Sequence, residues 1–277
     1  MNTPTCVTVN AILDRYERDC MDSLAPRTQK DYRRHIVKLR QVFGERIADE
    51  LRPRDFGPFL DVKRGKIQRV RQLAVLSAAF TEAVSSWYVL ERNVLRDVKR
   101  PKSQPRDRLV SDEEFEGVLA IAPRRMKLGM RLALLTGQRQ GDIIRFKWSD
   151  IRDGALHLQQ SKTGKRLAIE LNPELKRVLG QCWQLPRGGC EGCEYILPTR
   201  AGTPYTSEGF RATFQRLMRK WLASGGSRFR YHDLRALAAT KCATPEIAMR
   251  LLGHTTISMT MRVYRRGVER VKALSLS

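Results

Sequence analysis

Apolar side chains in the first hundred residues recur at helical spacing. Tyr32, Ile36, Leu39 and Phe43 form one stripe that stops at Gly44, and Leu73, Leu76, Phe80, Ala83 and Trp87 form a second on a longer helix. Periodicity is then lost over 96–108, where two prolines and six basic side chains predict an extended linker. Ser111 followed by Glu114 has the capping-box spacing and opens a new helix, which puts a domain boundary near residue 105. Beyond it the period changes. Leu156 and Leu158 alternate with polar neighbours, as do Leu167, Ile169 and Leu171, and the turn-rich run Ser161–Lys165 lies between them. That pattern predicts a β-hairpin. Helices resume near 174–184, 207–222, 233–242 and 245–252, the last announced by Thr244 as cap and Pro245 at the first helical position. The expected fold is mostly α with a small antiparallel β-sheet (α+β), as two domains over 1–105 and 106–277.

Charge narrows the partners. The 277 residues carry 52 Lys and Arg against 29 Asp and Glu, a net charge of +23. Such self-repulsion usually answers a polyanion, and nucleic acid leads because phosphate neutralisation supplies most non-specific affinity for it. A membrane surface is disfavoured by the lack of a long apolar run or signal peptide. A merely basic or ribosome-associated protein stays open on composition alone. The six cysteines are scattered, which fits reduced thiols in the cytoplasm. Cys190-Glu-Gly-Cys193 has the spacing of half a zinc site with Cys182 upstream, but no second pair follows, so ordinary loop thiols are the simpler reading.

Phosphodiester chemistry without a metal needs fixed cations around the phosphoryl oxygens, a nucleophile and a proton donor. The metal route is unpromising, because the carboxylate group Asp112-Glu113-Glu114 is explained by helix capping. A P-loop also fails, since Gln159 stands at the required first glycine and Arg166 at the final Ser/Thr. No cofactor or metal is expected. Cationic candidates are plentiful. Gly137 permits a sharp turn after which Arg139 points out of a helix start, with Asp142 one turn on to hold it. His232 and Arg235 lie three apart on one helix face. Gly253 ends a helix just before His254, and Tyr264 follows ten residues later. Taken singly, each has a dull reading as a surface ion pair, a core histidine or a packed tyrosine.

Taken in order, Arg139, Lys162, His232-x-x-Arg235, His254 and Tyr264 resemble the tyrosine recombinase family, specifically bacteriophage-type integrases. The match is closest around Thr-Gly-Gln-Arg, Lys-Trp-Ser-Asp-Ile, Gln-Ser-Lys-Thr-Gly and Leu-Leu-Gly-His. Residues 24–105 also resemble that family's helical core-binding domain. The resemblance implies that 106–277 form the catalytic domain, with Arg139 and Arg235 gripping the scissile phosphate. It implies Lys162 on the hairpin as donor to the leaving 5′ oxygen (Lys165 is the weaker candidate), with His232 assisting proton transfer and His254 donating a hydrogen bond to the phosphate. Tyr264 is then the nucleophile of a 3′-phosphotyrosine intermediate, and resealing needs neither ATP nor metal. The implied partners are double-stranded DNA, held as by a C-shaped clamp with 96–108 along the duplex, and three further copies, a homotetramer on two DNA sites. An accessory directionality factor fits the same scheme. The implied setting is the bacterial cytoplasm, at the nucleoid.

The chain departs from the family pattern in three places: ten residues separate His254 from Tyr264 where nine is commoner, Asn93-Val94 replaces Asn-Pro, and Gly188–Cys193 looks like a small insertion. Because the chain begins almost at the core-binding domain, a simple recombination site without distant arm sites is expected. Rival readings are a type IB topoisomerase-like relaxing enzyme, a helix-turn-helix regulator built on 233–264, and a metal-dependent nuclease.

Overall fold

The computed structural model describes residues 7–62, 65–101, 108–186 and 192–261. Tyr264 and Val263 therefore lie outside the described residues, as do Cys190 and linker positions 102–107. The chain divides into two compact units, Met1–Gln104 and Pro105–Ser277.

The first unit is helical: α1 (Val9–Asp19), α2 (Pro26–Phe43), the short α3 (Gly57–Asp61) and α4 (Lys66–Ser85). Both predicted stripes face one core, in which Ile36, Leu39, Leu73, Leu76 and Phe80 are fully buried and the Phe43 ring packs tilted against Phe56 and edge-on to Phe59. Arg40 ties α2 to α1 through Asp14 and Glu17, each at 2.7 Å. Asn93 is the hub of the turn at Asn93-Val94. Its Oδ1 accepts from Leu95 N at 3.1 Å and its Nδ2 donates to Ser77 O and Thr81 Oγ1, so side-chain hydrogen bonds hold the turn Val94–Arg96. Val94 sits at the first position of that turn, where a ring would have fixed φ.

The second unit begins with α5 (Asp112–Ile121), capped reciprocally by Ser111 and Glu114. Next come α6 (Arg124–Thr136) and α7 (Gln140–Ile143), then a three-stranded antiparallel sheet of β1 (Ile151–Arg152), β2 (Ala155–Gln159) and β3 (Arg166–Glu170). The β2–β3 pair is the predicted hairpin, with Leu156 opposite Ile169 and Leu158 opposite Leu167. β1, two residues long, is too short to announce itself by alternation. Helices α8 (Pro173–Trp183), α9 (Ser207–Ala223), α10 (Asp233–Lys241), α11 (Pro245–Leu252) and α12 (Ile257–Met259) complete the unit. Thr244 caps α11 as expected, its hydroxyl accepting from Ile247 N.

Packing of α10 decides where the chemistry sits. Ala236, Ala238 and Ala239 give it a slim surface, so it runs buried between α6 and α11. A ring cluster of Phe210, Phe214, Phe229 and Tyr231 wedges the segment before it, with Tyr231 Oη donating to Gly129 O. Arg235 is carried inside as a consequence.

Candidate active site

A buried guanidinium must find acceptors, and Arg235 finds them at two helix ends. Only 1% exposed, it donates Nη1 to Gly137 O and Nη2 to Leu252 O, both at 2.6 Å. Gly137 is the left-handed C-cap of α6 (φ +64°), and Leu252 closes α11 before left-handed Gly253 (φ +68°). Carbonyls at helix C-termini carry the negative end of the macrodipole, so they stabilise a cation without neutralising it. Glycine is needed at both caps: a Cβ on Gly137 would stand 2.9 Å from Leu252 Cδ2, and one on Gly253 2.8 Å from the Gln160 amide nitrogen.

Arg235 Nη2 also lies 3.1 Å from His254 Nε2, while His254 Nδ1 lies 2.8 Å from the hydroxyl of fully buried Thr260. An arginine can only donate, so Nε2 accepts and the ring proton sits on Nδ1, facing Thr260 Oγ1. The neutral ring is what the surroundings favour. Burial, then Arg235, Arg139, Lys165 and His232, push His254 from 6.5 down to about 4.

Arg139 caps α7 at its start and donates Nη1 to Gln160 Oε1 at 3.1 Å. The sequence assigned that task to Asp142, and the structure corrects it. Asp142, buried, turns its Oδ1 to Ser161 N (2.9 Å), Ser161 Oγ (2.8 Å) and Arg145 Nη2 (3.1 Å), and so clamps the base of the hairpin. A carboxylate acts on the loop while an uncharged amide holds the arginine.

Of the sequence-selected residues, Arg139, Arg235 and His254 are brought into one network. His232 is exposed at the N-cap of α10, within electrostatic reach of His254. Beside it runs a groove of about 640 Å³ over Phe214 and Phe229, rimmed by Arg211, Arg219, Arg228 and Arg230. Lys162 stands exposed in the hairpin turn, whereas half-buried Lys165 reaches His254 O with Nζ at 3.2 Å. Tyr264 lies outside the described residues. Gln138, Gln160 and Thr260 escaped the sequence reading. The two glutamines stand inside the quoted motifs Thr-Gly-Gln-Arg and Gln-Ser-Lys-Thr-Gly, yet nothing local tells a buried amide from an exposed one. Among the described residues, no group of three or more His, Cys, Asp or Glu could hold a metal ion, and Cys193 Sγ donates to Gly202 O at 2.9 Å.

The cationic pocket lies in the second unit, on helix ends beside the small antiparallel hairpin. Residues 109–269 match the model of the phage integrase family, and the chain belongs to that family. It is 30% identical over 274 residues to the integrase of Escherichia phage HK022, covering 92% of this chain and 75% of that one. With the integrase of Escherichia phage lambda it shares 29% over 276 residues, covering 94% and 76%. Among solved structures, a lambda integrase dimer bound to a COC′ core site superposes with a TM-score of 0.82 at 30% identity, over 97% of this chain and 99% of that one. A lambda integrase tetramer bound to a Holliday junction gives 0.81 at 28% identity, over 98% and 81%. The integrase of transposon Tn1549 shares the fold at 0.75 with 18% identity, over 95% and 96%. Among the described residues, no helix is long and apolar enough to cross a membrane.

Proposed function

We propose that Arg139 and Arg235 bind the scissile phosphate of double-stranded DNA, that His254 joins them once the phosphate's charge draws a proton onto Nε2 in place of its contact with Arg235, and that Tyr264 attacks the phosphate to give a 3′-phosphotyrosine. Tyr264 Oη forms a bond to phosphorus as the bond to the 5′ oxygen breaks. The phenol proton goes to His232, and the leaving oxygen takes a proton from Lys162. The residue's ordinary pKa near 10 means that the cationic field must help the phenol ionise. Religation reverses the sequence, and bond energy stays in the phosphodiester throughout. The observation that carries this reading is the Arg235 guanidinium, held by helix-end carbonyls and aimed at His254 Nε2. Its full positive charge is preserved for a phosphate.

The hairpin is anchored at its base by Asp142 and Gln160, which leaves the exposed tip with Lys162 to close on bound DNA. The 3.2 Å approach of Lys165 Nζ to His254 O favours a second reading, in which Lys165 is the proton donor. Residues 1–105 form the core-binding domain, with the basic linker 96–108 along the backbone, and 106–277 the catalytic domain. The assembly is a homotetramer on two sites, as the lambda tetramer on a Holliday junction suggests, with room for a directionality factor. It works in the bacterial cytoplasm, at the nucleoid.

The test is a nicked suicide duplex carrying the border sequence of the element that encodes the chain. Wild type should form a protein–DNA adduct at Tyr264, and Tyr264→Phe should bind without adduct, with EDTA making no difference. A bridging sulfur at the 5′ position makes a leaving group that needs no proton, so it should rescue whichever of Lys162→Ala and Lys165→Ala lost the general acid. An adduct on another residue overturns the proposal. Joining of two separate duplexes distinguishes a recombinase from a relaxing enzyme.

A further inference from the structure

We infer that Gln160 is a positioning residue, which sets the guanidinium of Arg139 against the scissile phosphate and couples it to Arg235. The inference rests on the phosphate-binding role proposed above for the two arginines.

Gln160 lies at the junction of β2 and the hairpin turn, fully buried. Its side chain uses every hydrogen-bonding position that an amide has. Oε1 accepts from Arg139 Nη1 at 3.1 Å and from Thr163 Oγ1 at 2.9 Å. Nε2 donates to Gln138 Oε1 at 2.8 Å and to Leu252 O at 2.9 Å. Partner chemistry settles which end is which. Arginine only donates and must face oxygen; a backbone carbonyl only accepts and must face nitrogen.

Leu252 O also receives Arg235 Nη2. One carboxamide thus touches Arg139 directly and Arg235 through a shared carbonyl. Gln138, itself 1% exposed, backs it by donating to Thr136 O and Leu251 O, both at 2.8 Å. Gly253 leaves the space that the amide fills.

An amide here has a consequence that a carboxylate lacks. It orients Arg139 without cancelling its charge, so the field on the phosphate oxygens remains whole. A glutamate of the same shape would neutralise the arginine and could not donate to Leu252 O. The hairpin turn begins at the next residue and Lys162 is the one after, so the same side chain links the phosphate clamp to the proton-donor segment.

The test compares Gln160→Ala, the isosteric Gln160→Glu and Arg139→Ala in the full chain, on two nicked suicide duplexes carrying the element's border sequence. One has an ordinary scissile phosphate; the other has a methylphosphonate, which carries no charge for an arginine to neutralise. A misplacement of the order of 1 Å costs about a hundredfold, so both Gln160 variants should cleave the phosphate roughly a hundredfold slower than wild type. Duplex affinity should be little changed. On the methylphosphonate the deficit should shrink to about threefold for all three variants, because the lost transition-state contact is to charge. A general packing defect would slow both substrates alike. If Arg139→Ala recovers on methylphosphonate while both Gln160 variants stay slow, Gln160 does not act through Arg139 and the inference falls alone. If Arg139→Ala cleaves the ordinary phosphate at the wild-type rate, the phosphate-binding role falls and this inference with it. Gln160→Glu keeps the side-chain volume, and a wild-type cleavage rate in it would overturn the inference irrespective of how Gln160→Ala folds.

Discussion

Acid should unlock the pocket before it unlocks the rest of the second unit. His254 is 4% exposed and faces Arg235, Arg139, Lys165 and His232, which with burial hold its ring near 4 instead of 6.5. The unfolded chain takes up this proton near 6.5, while the folded chain refuses it until about 4. Stability from this group is therefore fully present above 6.5 and is lost as pH falls through that window. At about 1.4 kcal/mol per pH unit, the loss is about 2 kcal/mol at pH 5 and about 3 kcal/mol at pH 4. Other groups titrate too, so the measurement is a difference. Wild type and His254→Asn, which keeps a polar amide but does not titrate, are unfolded with urea without DNA at pH 7 and pH 5. Trp148, Trp183 and Trp221 report on the second unit. The stability difference between the two proteins should move by about 2 kcal/mol in favour of the variant. If both lose stability in parallel, His254 is not held neutral by its neighbours and the electrostatic reading of the pocket is wrong.

Two further outcomes follow from the same contacts. Asp142→Ala removes the acceptor of three hydrogen bonds, two of them from Ser161 at the hairpin base and one from Arg145. Charge-assisted bonds are worth ~1.5–3 kcal/mol, so amide exchange over 160–165 should accelerate by at least tenfold; unchanged protection there would refute the clamp. Thr260→Val keeps the volume but leaves His254 Nδ1 without that acceptor. Cleavage should fall about tenfold or more, and Thr260→Ser should restore most of it. The tautomer, set by Arg235, should stay the same, and an Nδ1 resonance unshifted by nitrogen NMR in Thr260→Val would refute the hydrogen-bond assignment.

What the chain declares locally is its element structure. Stripes such as Leu73, Leu76 and Phe80, the Ser111–Glu114 cap and the alternation around Leu156 and Ile169 depend on neighbours within a few residues, and they appear in the fold where periodicity put them. The charged series was legible only as an ordered set that resembles a family pattern, since Arg139, Arg235 and His254, each beside a glycine, a cap or a helix start, read singly as ordinary surface or core residues. What only tertiary structure decided is how those charges are held. Gln160 meets Leu252 across 92 residues of chain, and Arg235 meets Gly137 across 98. Asp142 chose the hairpin over Arg139, and two glutamines with no local mark became the frame of the pocket. The physical reason is burial. A charge announces itself in any context, but an amide gains its meaning when packing removes water and forces each of its donors and acceptors to find a partner in the protein.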